Sequence, residues 1–322
     1  MTGWGLLSTA RINRAILAGI AAVADARAVA VASRDAGRAS AYARANGIER
    51  AHGSYEALLA DPDVDIVYIS LPNGMHVEWA RRALAAGKHV LCEKPLSRSA
   101  AEAESLFALA AAQGRHLSEA FMYRHHPQTQ MLKQLVRSGA VGELRLIRAS
   151  FSFNCDPDDH RMLVAAQGGG LLDVGCYPVN VSRFLAGEPE RVSAEQLLGG
   201  DGVDVVMAGV LRFPGGVLAQ CDSGLAMPAR RGVEVVGSSG ALRVAEPWHP
   251  VANGIELWRD GARVPEMMGT PAADSYALEV ADMGAAARGE REPLLGKGDA
   301  VGQARTLGAL WRAAASGEVV SL

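Results

Sequence analysis

Short strand-like runs alternate with alanine-rich amphipathic segments along residues 1–121 of the chain. Runs such as AVAVAS (28–33) and VDIVYISL (64–71) are typical of buried strands, and segments such as 35–47 are typical of helices. Strands that are joined through helices form right-handed βαβ units and lie parallel to one another. No other feature restricts the possible folds as strongly. This alternation of strands and helices predicts an α/β fold with a doubly wound parallel sheet in this part of the chain.

The pattern changes from residue 122 onward. A long strand is predicted over 144–153, and a loop that feeds a helix follows over 168–187. Further strands are separated by glycine or proline turns, and two closing helices end the chain. Runs of strands of this kind favour an α/β domain with an open, mainly antiparallel sheet. We therefore predict two domains, 1–121 and 122–322, and the closing C-terminal helix could pack back on the first.

The charge balance of the chain restricts its partners. The 322 residues carry a net charge of −3, and the pI is near 6.3. Nucleic acids and anionic membranes attract strongly basic surfaces, which this balance does not provide. No run reaches the roughly 18 uninterrupted apolar residues of a membrane span. We therefore expect no nucleic-acid partner and no membrane.

The cysteines and histidines point away from metal and disulfide chemistry. The four cysteines are far apart and form no C-x-x-C pair, so the sequence predicts neither a disulfide framework nor a zinc site. A reduced, cytoplasmic setting is the expectation for such a chain. His125, His126 and His160 lack the carboxylate–histidine spacing of a metal site, and we predict no metal.

The stretch WGLLSTARIN (4–13) follows the first predicted strand and opens the first predicted helix. A dinucleotide-binding turn has the pattern G-x-G-x-x-G in that position. Here Ser8, Ala10 and Asn13 stand at the three glycine positions. Ser8 and Ala10 are small enough for a pyrophosphate to approach the backbone at the start of the helix. Taken alone, the stretch is equally consistent with a phosphate turn and with an ordinary apolar N-terminus.

The end of the second predicted strand favours one cofactor over another. NAD sites place a carboxylate here for the ribose 2′-hydroxyl, whereas NADP sites place a hydroxyl and a guanidinium. Ser33 and Arg34 fit the 2′-phosphate of NADP(H), and Arg38 lies one helical turn onward. Asp35 is the competing carboxylate, but it comes two residues late and is well placed as a helix N-cap. A solvated helix face remains the structural alternative for the arginines.

Two further strand ends complete the predicted rim of the sheet. Residues 70–76 follow the fourth strand, and Glu93 and Lys94 end the fifth. Ligands of open α/β sheets bind at the carboxyl ends of the strands, so these residues belong to the candidate site. His76 taken alone is more often a helix-start histidine than a ligand.

Six stretches together carry a family resemblance: AVASRD, HGSYEALLADPDVD, SLPNGMHVEWA, AGKHVLCEKPL, EAFMYRHHPQ and GGGLLDVGCYPVN. The chain resembles the glucose–fructose oxidoreductase/inositol dehydrogenase (Gfo/Idh/MocA) family over nearly its whole length. The E-K-P motif at 93–95 followed by D-x-G-x-Y at 173–177 is specific to it. The resemblance implies an N-terminal Rossmann domain and a C-terminal α/β domain. The open sheet of the latter carries the substrate site on one face and often the oligomer interface on the other.

The resemblance also implies catalytic residues, namely Lys94, Tyr177 and Asp173. Hydride transfer needs a group that takes the proton from the substrate hydroxyl. Tyrosine can do so if a nearby ammonium lowers its pKa from about 10, and Lys94 and Tyr177 could meet over the nicotinamide. Asp173 lies four residues before Tyr177, hence on the same face if this segment is helical, and it could orient Lys94 or bind a sugar hydroxyl. The structural alternatives are a packed core tyrosine and a helix-capping aspartate.

Tyrosine instead of histidine at position 177 resembles the branch that contains NADP-dependent xylose dehydrogenase, dimeric dihydrodiol dehydrogenase and anhydrofructose reductase. The same resemblance implies a set of residues that line the cofactor: Ser8, Thr9, Ala10, Arg11, Ile12, Ser33, Arg34, Arg38, Leu71, Pro72, Asn73, His76, Glu93 and Lys94, with Arg161 and Tyr276 near the nicotinamide. The glycines at 168–170 are most simply explained by a flexible loop, and they would let the backbone pass close to a ligand.

These observations predict an NADP-dependent oxidoreductase that acts on a small sugar or polyol, with oxidation of an aldose at its anomeric hydroxyl as the first hypothesis. If the same residues catalyse the reverse reaction, the protein would be a ketoreductase that acts on a ketosugar or a nucleotide-linked deoxysugar. A non-catalytic NADP-sensing regulator is the alternative of another class, and it would be expected to lack the lysine–tyrosine pair. We also predict a homodimer or homotetramer that assembles through the C-terminal sheet.

Overall fold

A computed structural model describes residues 1–250, 254–265 and 269–322. The first part of the chain alternates strands and helices: β1 (Thr2–Leu7), α1 (Asn13–Ala22), β2 (Ala26–Ala32), α2 (Ala36–Asn46), β3 (Arg50–His52), α3 (Tyr55–Leu59), β4 (Ile66–Ile69), α4 (His76–Ala85), β5 (His89–Glu93), α5 (Ala100–Ala112) and β6 (Leu117–Ala120). A short 3₁₀ turn, Asn73–Met75, leads from β4 into α4.

The later elements are mostly strands: α6 (Pro127–Arg137), β7 (Leu144–Asn154), α7 (Cys176–Ala186), β8 (Arg191–Leu198), β9 (Asp204–Arg212), β10 (Leu218–Gly224), β11 (Ala226–Gly237), β12 (Ala241–Val244), β13 (Ile255–Arg259), β14 (Ala262–Arg263), α8 (Ser275–Ala287), α9 (Lys297–Ser316) and β15 (Val320–Ser321). A π-helix, Leu171–Gly175, runs directly into α7. Four 3₁₀ turns complete the described elements: Met122–His125, His160–Met162, Val164–Ala166 and Pro214–Gly216.

The described strands β1 to β6 form one parallel sheet in the order β3-β2-β1-β4-β5-β6. Every residue of β1 and of β4 is buried, because helices cover both faces of the sheet. This is the order of a doubly wound Rossmann sheet, and it confirms the predicted fold of the first domain. The strand order reverses between β1 and β4, and ligands of such sheets bind in the crevice at that switch point.

The ends of α2 show how local chemistry sets an element in this sheet. The Asp35 carboxylate accepts a hydrogen bond of 2.6 Å from the main-chain N–H of Arg38, as the predicted N-cap does. Gly47 follows the helix with a φ of +66°, a left-handed conformation that favours glycine.

The described strands β7 to β15 form a second sheet in the order β14-β13-β12-β11-β7-β10-β9-β8-β15. Strands β7 and β10 are parallel, and the other neighbouring pairs are antiparallel. The prediction of an open, mainly antiparallel sheet is therefore confirmed. Helix α7 packs across β7 and β10 and covers one face of the sheet.

The chain divides into two compact units that differ from the predicted domains. The first unit contains Met1–Met122 and Asp274–Val301, and the second contains Tyr123–Ala273 and Gly302–Leu322. Helix α8 and the start of α9, which fall within the predicted domain 122–322, therefore belong to the first unit. The reason is packing: Val280 and Met283 of α8 join the core of the first unit, and α8 lies so close to α1 that a Cβ on Gly19 would come within 2.8 Å of the Tyr276 main chain.

Within the described ranges, none of the helices combines the length and the apolar character that a membrane span requires.

Candidate active site

The turn after β1 keeps a glycine-type backbone conformation at its first position. Ser8 has a φ of +116°, in the region that favours glycine. A non-glycine residue there costs about 1–3 kcal/mol, and such strain is concentrated at functional sites. The Ser8 hydroxyl accepts a hydrogen bond from the Ala10 N–H (3.1 Å) and lies 2.9 Å from the hydroxyl of Ser70. The first glycine position is therefore filled by a serine that keeps the glycine conformation.

Asn13, at the third glycine position, is completely buried and braces the turn. Its Nδ2 donates to the Ser8 carbonyl (2.8 Å), and its Oδ1 accepts from the Ser70 hydroxyl (2.7 Å). The side chain thus joins the ends of β1 and β4 at the switch point of the sheet. Sequence reasoning noted the missing glycine but not this role, because the partner Ser70 is 57 residues away.

The end of β2 and the first turn of α2 carry two arginines near a buried serine. Ser33 is 6% exposed, and its hydroxyl accepts the Asp35 N–H at 3.2 Å. Arg34 and Arg38 are exposed, and in the part of the chain that the structure describes no carboxylate is paired with either guanidinium. The Asp35 carboxylate serves as the α2 cap instead. Two cations between the end of β2 and the first turn of α2 suit a phosphate better than a ribose hydroxyl.

His76 joins the two rim segments that follow β4 and β5. Its ring nitrogens lie 2.8 Å from the carbonyl oxygens of Leu71 and Pro95, and the side chain is 1% exposed. Burial lowers the pKa of His76, and the two carbonyls oppose this shift. His76 therefore braces the segments that carry Leu71 and Lys94. A direct contact between His76 and a cofactor stays a prediction.

Glu93 and Lys94 end β5 at the same rim. The Tyr68 hydroxyl donates to Glu93 Oε1 at 2.5 Å, and the main-chain N–H of Lys94 lies 3.3 Å from Glu93 Oε2. Burial raises the pKa of Tyr276, and nearby Glu93 raises it further. Tyr276, predicted to lie near the nicotinamide, belongs to the first unit, and the influence of Glu93 on its pKa places the two residues in one neighbourhood.

The other predicted cofactor residues of the first unit lie in two loops. Thr9, Ala10, Arg11 and Ile12 connect β1 to α1, and Pro72 and Asn73 follow Leu71 at the end of β4. Both loops lie at the carboxyl end of the parallel sheet. Their contacts with a cofactor stay predictions.

In the second unit, Asp173 and Tyr177 lie on consecutive turns of a continuous helical segment. Asp173 lies in the π-helix Leu171–Gly175, and Tyr177 lies in the first turn of α7. The sequence predicts a loop that feeds a helix over 168–187. In the structure, a π-helix already contains Asp173 and continues directly into α7. Turns of this kind are rare and are often found at functional sites.

Tyr177 is held by an aromatic cluster that the sequence analysis missed. Its ring centre lies 5.7 Å from that of Tyr123, 5.4 Å from Phe151 and 5.6 Å from Trp248. Trp248 donates its indole N–H to the Ser150 carbonyl at 3.0 Å, which orients that ring. The cluster restrains the Tyr177 side chain, which is 7% exposed. No local pattern could have found Trp248, which lies far along the chain from the other rings.

Arg161 lies between two carboxylates of the second unit. Its Nε is 3.1 Å from Asp173 Oδ2, and its Nη1 is 3.0 Å from Asp159 Oδ2. Burial lowers the pKa of Arg161, but the two aspartates outweigh it and raise the pKa. The resemblance placed Arg161 near the nicotinamide, and that contact stays a prediction. The pairing of Arg161 with Asp173 is a finding of the structure.

The glycines at 168–170 make room for the protein's own atoms. A Cβ on Gly168 would lie 2.1 Å from the Arg161 carbonyl oxygen, and one on Gly169 would lie 2.1 Å from Asp204 Oδ1. Gly169 also has a φ of +110°. Asp204 accepts the Leu171 N–H at 2.6 Å and thereby caps the segment that carries Asp173. The expected approach of a ligand to these glycines stays untested.

The buried Asp204 predicts a pH dependence of stability. Burial raises the pKa of its carboxyl from 3.8 to about 6, against the opposing hydrogen bonds from main-chain N–H groups. Since the pKa is higher in the folded state, this contribution to stability is complete below pH 3.8 and is lost as the pH rises through 6. Asp204→Asn should remove that loss. The difference in the free energy of unfolding between Asp204→Asn and wild type should therefore shift in favour of the variant by about 2–3 kcal/mol from acidic to neutral pH.

Urea unfolding of both proteins across this pH range checks the prediction. Asp201→Asn is the matched control, because Asp201 is exposed and accepts the Val164 N–H from the same loop region. A difference between Asp204→Asn and wild type that does not change with pH would contradict the prediction.

Among the described residues, no group of three or more His, Cys, Asp or Glu side chains is close enough together to hold a metal ion.

Family models match both parts of the chain. Residues 3–121 match a model described as an oxidoreductase family with an NAD-binding Rossmann fold. Residues 129–243 match the GFO/IDH/MocA C-terminal domain. A relative named D-xylose 1-dehydrogenase (NADP(+)) 2, from Haloferax volcanii, is 38% identical over 324 residues, which cover 99% of each chain.

Two solved structures resemble the chain over nearly its whole length. A 3-ketoreductase from Actinomadura kijaniata, in complex with NADP and TDP-benzene, has a TM-score of 0.91 at 34% identity and covers 97% of each chain. An aldose-aldose oxidoreductase from Caulobacter crescentus, complexed with glycerol, has a TM-score of 0.90 at 29% identity. That comparison covers 100% of this chain and 99% of the other.

Proposed function

The chain belongs to the GFO/IDH/MocA oxidoreductase family, and from this premise we propose that it oxidises a small aldose at the anomeric hydroxyl with NADP⁺ as hydride acceptor. Its oxidoreductase class and its NADP dependence follow from the family and from its relatives. The aldose substrate and the direction of the reaction are our proposal.

The first unit fits NADP on its own geometry. The left-handed Ser8, braced by Asn13, leaves a tight turn at the start of α1 for the pyrophosphate. Arg34 follows β2 and Arg38 lies in the first turn of α2, near the strand end where the 2′-phosphate of NADP is recognised in this fold. The residues that we propose to hold the cofactor are Ser8, Thr9, Ala10, Arg11, Ile12, Ser33, Arg34, Arg38, Leu71, Pro72, Asn73, His76, Glu93, Lys94 and Tyr276. The resemblance adds Arg161, but its guanidinium is paired with Asp159 and Asp173.

The bound nicotinamide would accept or supply the hydride, and the protein's residues would handle the proton. We propose that Tyr177 takes the proton from the substrate hydroxyl in oxidation and returns it in reduction. The Lys94 ammonium would favour the phenolate form of Tyr177 by its charge. The Asp173 carboxylate would accept a hydrogen bond from a sugar hydroxyl or orient Lys94.

One observation carries the aldose hypothesis, namely the 38% identity to the D-xylose 1-dehydrogenase (NADP(+)) over 99% of both chains. The test is a screen of the purified protein with NADP⁺ against pentoses, hexoses and polyols, followed through the absorbance of the reduced cofactor. We expect turnover of at least one aldopentose or aldohexose. Melting temperatures with NADP⁺ and each sugar provide an independent measure of binding. Absence of both turnover and thermal shift with every aldose would contradict the proposal.

A second candidate is reduction of a ketosugar or a nucleotide-linked deoxysugar. The similarity to a 3-ketoreductase at a TM-score of 0.91 favours it. The same screen with NADPH and ketosugar substrates distinguishes the two directions. A non-catalytic regulator would need neither Lys94 nor Tyr177, and both are present.

We further propose a cytoplasmic location. All four cysteines are free thiols, and three of them are buried. Disulfides are rare in reducing compartments, so this state of the cysteines supports the proposal.

We propose that the second sheet carries a homo-oligomer interface on the face away from α7. Alternation along β9 and β10 places Val210 and Leu218 on that face, where both are exposed. A cavity of about 530 Å³ lies on the second sheet, lined by residues such as Arg148, Asp222 and Glu234. An apolar and charged face of this kind is suited to a self-complementary contact.

Light scattering should therefore give a mass of at least twice the 33.7 kDa of one chain. Leu218→Glu should shift the protein toward monomer, because it places a charge within the contact. Leu294→Glu is the matched control, since Leu294 is an exposed leucine of the first unit. A wild-type protein that is entirely monomeric at micromolar concentration would contradict the proposal.

A further inference from the structure

We propose that Arg161 is a positioning residue for the reaction: it holds the Asp173 carboxylate in the orientation that the substrate requires. This inference rests on the proposed function, in which Asp173 contacts the sugar or Lys94. It goes beyond the role that the resemblance implies for Arg161, which is a contact with the cofactor.

Arg161 contacts the segment from Gly169 to Asp173 at two points. Its guanidinium Nε donates to Asp173 Oδ2 at 3.1 Å, and its main-chain carbonyl accepts the Gly169 N–H at 2.8 Å. Gly169 and Asp173 are themselves joined by a hydrogen bond of 3.0 Å from the Asp173 N–H to the Gly169 carbonyl. Arg161 therefore contacts the start of the segment through its main chain and the functional carboxylate through its side chain.

Asp159 orients the guanidinium for this contact. Its carboxylate accepts Arg161 Nη1 at 3.1 Å (Oδ1) and 3.0 Å (Oδ2), and it also accepts the Arg161 main-chain N–H at 3.0 Å. The side chains of Asp159 and Asp173 are only 13% and 14% exposed, and that of Arg161 is 33% exposed. Charge-assisted bonds between such shielded groups are stronger than those on an open surface.

The planar guanidinium is the reason that arginine is needed here. It presents Nε to Asp173 and Nη1 to Asp159 at the same time, in a rigid fork. Lysine offers one flexible ammonium and cannot reproduce both contacts with the same geometry. The arrangement therefore orients Asp173 before a substrate binds, and preorganisation of this kind acts on turnover.

The test compares Arg161→Ala and Arg161→Lys with wild type, using the substrate and direction that the screen identifies. We expect Arg161→Ala to lower kcat by about ten- to a hundred-fold, the worth of one charge-assisted hydrogen bond, with Arg161→Lys in between. Guanidinium ion added at low concentration should restore part of the kcat of Arg161→Ala, and the same concentration of sodium chloride should not. The dissociation constant of NADP⁺ should remain within about two-fold of wild type, less than the loss of any charge-assisted contact.

Arg145→Ala is the matched control, because Arg145 forms an exposed pair of 2.6 Å with Glu143 in the same unit. It should leave kcat unchanged. A crystal structure of Arg161→Ala gives a readout that does not depend on activity, and we expect the Asp173 side chain to leave its wild-type rotamer.

Several outcomes would overturn the inference. They are an unchanged kcat, a loss of NADP⁺ affinity with kcat retained, or an Asp173 rotamer that stays in place without Arg161. If Arg161→Ala does not fold, the same readouts on Arg161→Lys decide. Failure of the aldose hypothesis is recognised separately, because it appears as wild-type inactivity on aldoses, and the rotamer of Asp173 can still be observed.

Discussion

Tyr177→Phe is expected to lower kcat by about 10²–10⁴, the usual contribution of general acid–base catalysis. The substitution removes one hydroxyl and keeps the ring that packs against Tyr123, Phe151 and Trp248. Folding and NADP⁺ affinity should therefore stay close to wild type. The measurements are kcat, melting temperature and the dissociation constant of NADP⁺.

Lys94→Ala should cause similar damage, and the double variant should be little worse than either single one. Residues that act as one unit give strongly non-additive losses. Lys133→Ala is the matched control, because Lys133 is a lysine of α6 that lies over the Phe184 ring rather than at the rim.

A packing tyrosine beside an unrelated lysine would behave differently. Tyr177→Phe would then lower the melting temperature, keep most of the turnover, and combine additively with Lys94→Ala. If Tyr177→Phe retains more than about a tenth of wild-type kcat, the loss is smaller than even the weakest general acid–base contribution. That result would remove Tyr177 from the mechanism and make Asp173 or a water the next candidate.

Ser33→Asp is expected to abolish the preference for NADP⁺ over NAD⁺. The new carboxylate would repel the 2′-phosphate and could accept hydrogen bonds from the ribose hydroxyls of NAD⁺. Loss of one charge-assisted contact costs about 1.5–3 kcal/mol, or about ten- to a hundred-fold in KM for NADP⁺. The measurement is KM for both cofactors in wild type and variant, with Arg34→Ala as a second variant that removes a cation instead.

Ser54→Asp provides the control for this experiment. Ser54 is a serine of the first unit that caps α3, where its hydroxyl accepts the Ala57 N–H. Aspartate serves equally well as an N-cap. The KM values of Ser54→Asp should match wild type. Equal use of both cofactors by the wild-type protein, or an unchanged preference in Ser33→Asp, would contradict the assignment of Ser33 to the 2′-phosphate.

Local sequence patterns were sufficient for most of the first unit. The Asp35 cap, the Gly47 end of α2 and the buried runs of β1 and β4 depend on interactions within a few residues, which leave a readable pattern. The positions of the turn at Ser8 and of the rim at Glu93 follow from the same patterns, because parallel strands must all end at one edge. The roles of Lys94, Asp173 and Tyr177 came from family resemblance instead.

Long-range packing decided the rest, since it joins residues whose spacing in the chain carries no period. Asn13 is joined to Ser70, and Tyr177 packs against Trp248, across long separations in the chain. Helix α8 joins the first unit although the chain reaches it only after the second sheet, because Val280 and Met283 pack into the core of that unit and the main chain at Tyr276 lies against Gly19 of α1. Likewise, the sequence showed that Arg161 and Asp173 were present, but only the tertiary structure brought the guanidinium to within 3.1 Å of that carboxylate. Such contacts depend on where whole elements come to lie, and no window of neighbouring residues contains that information.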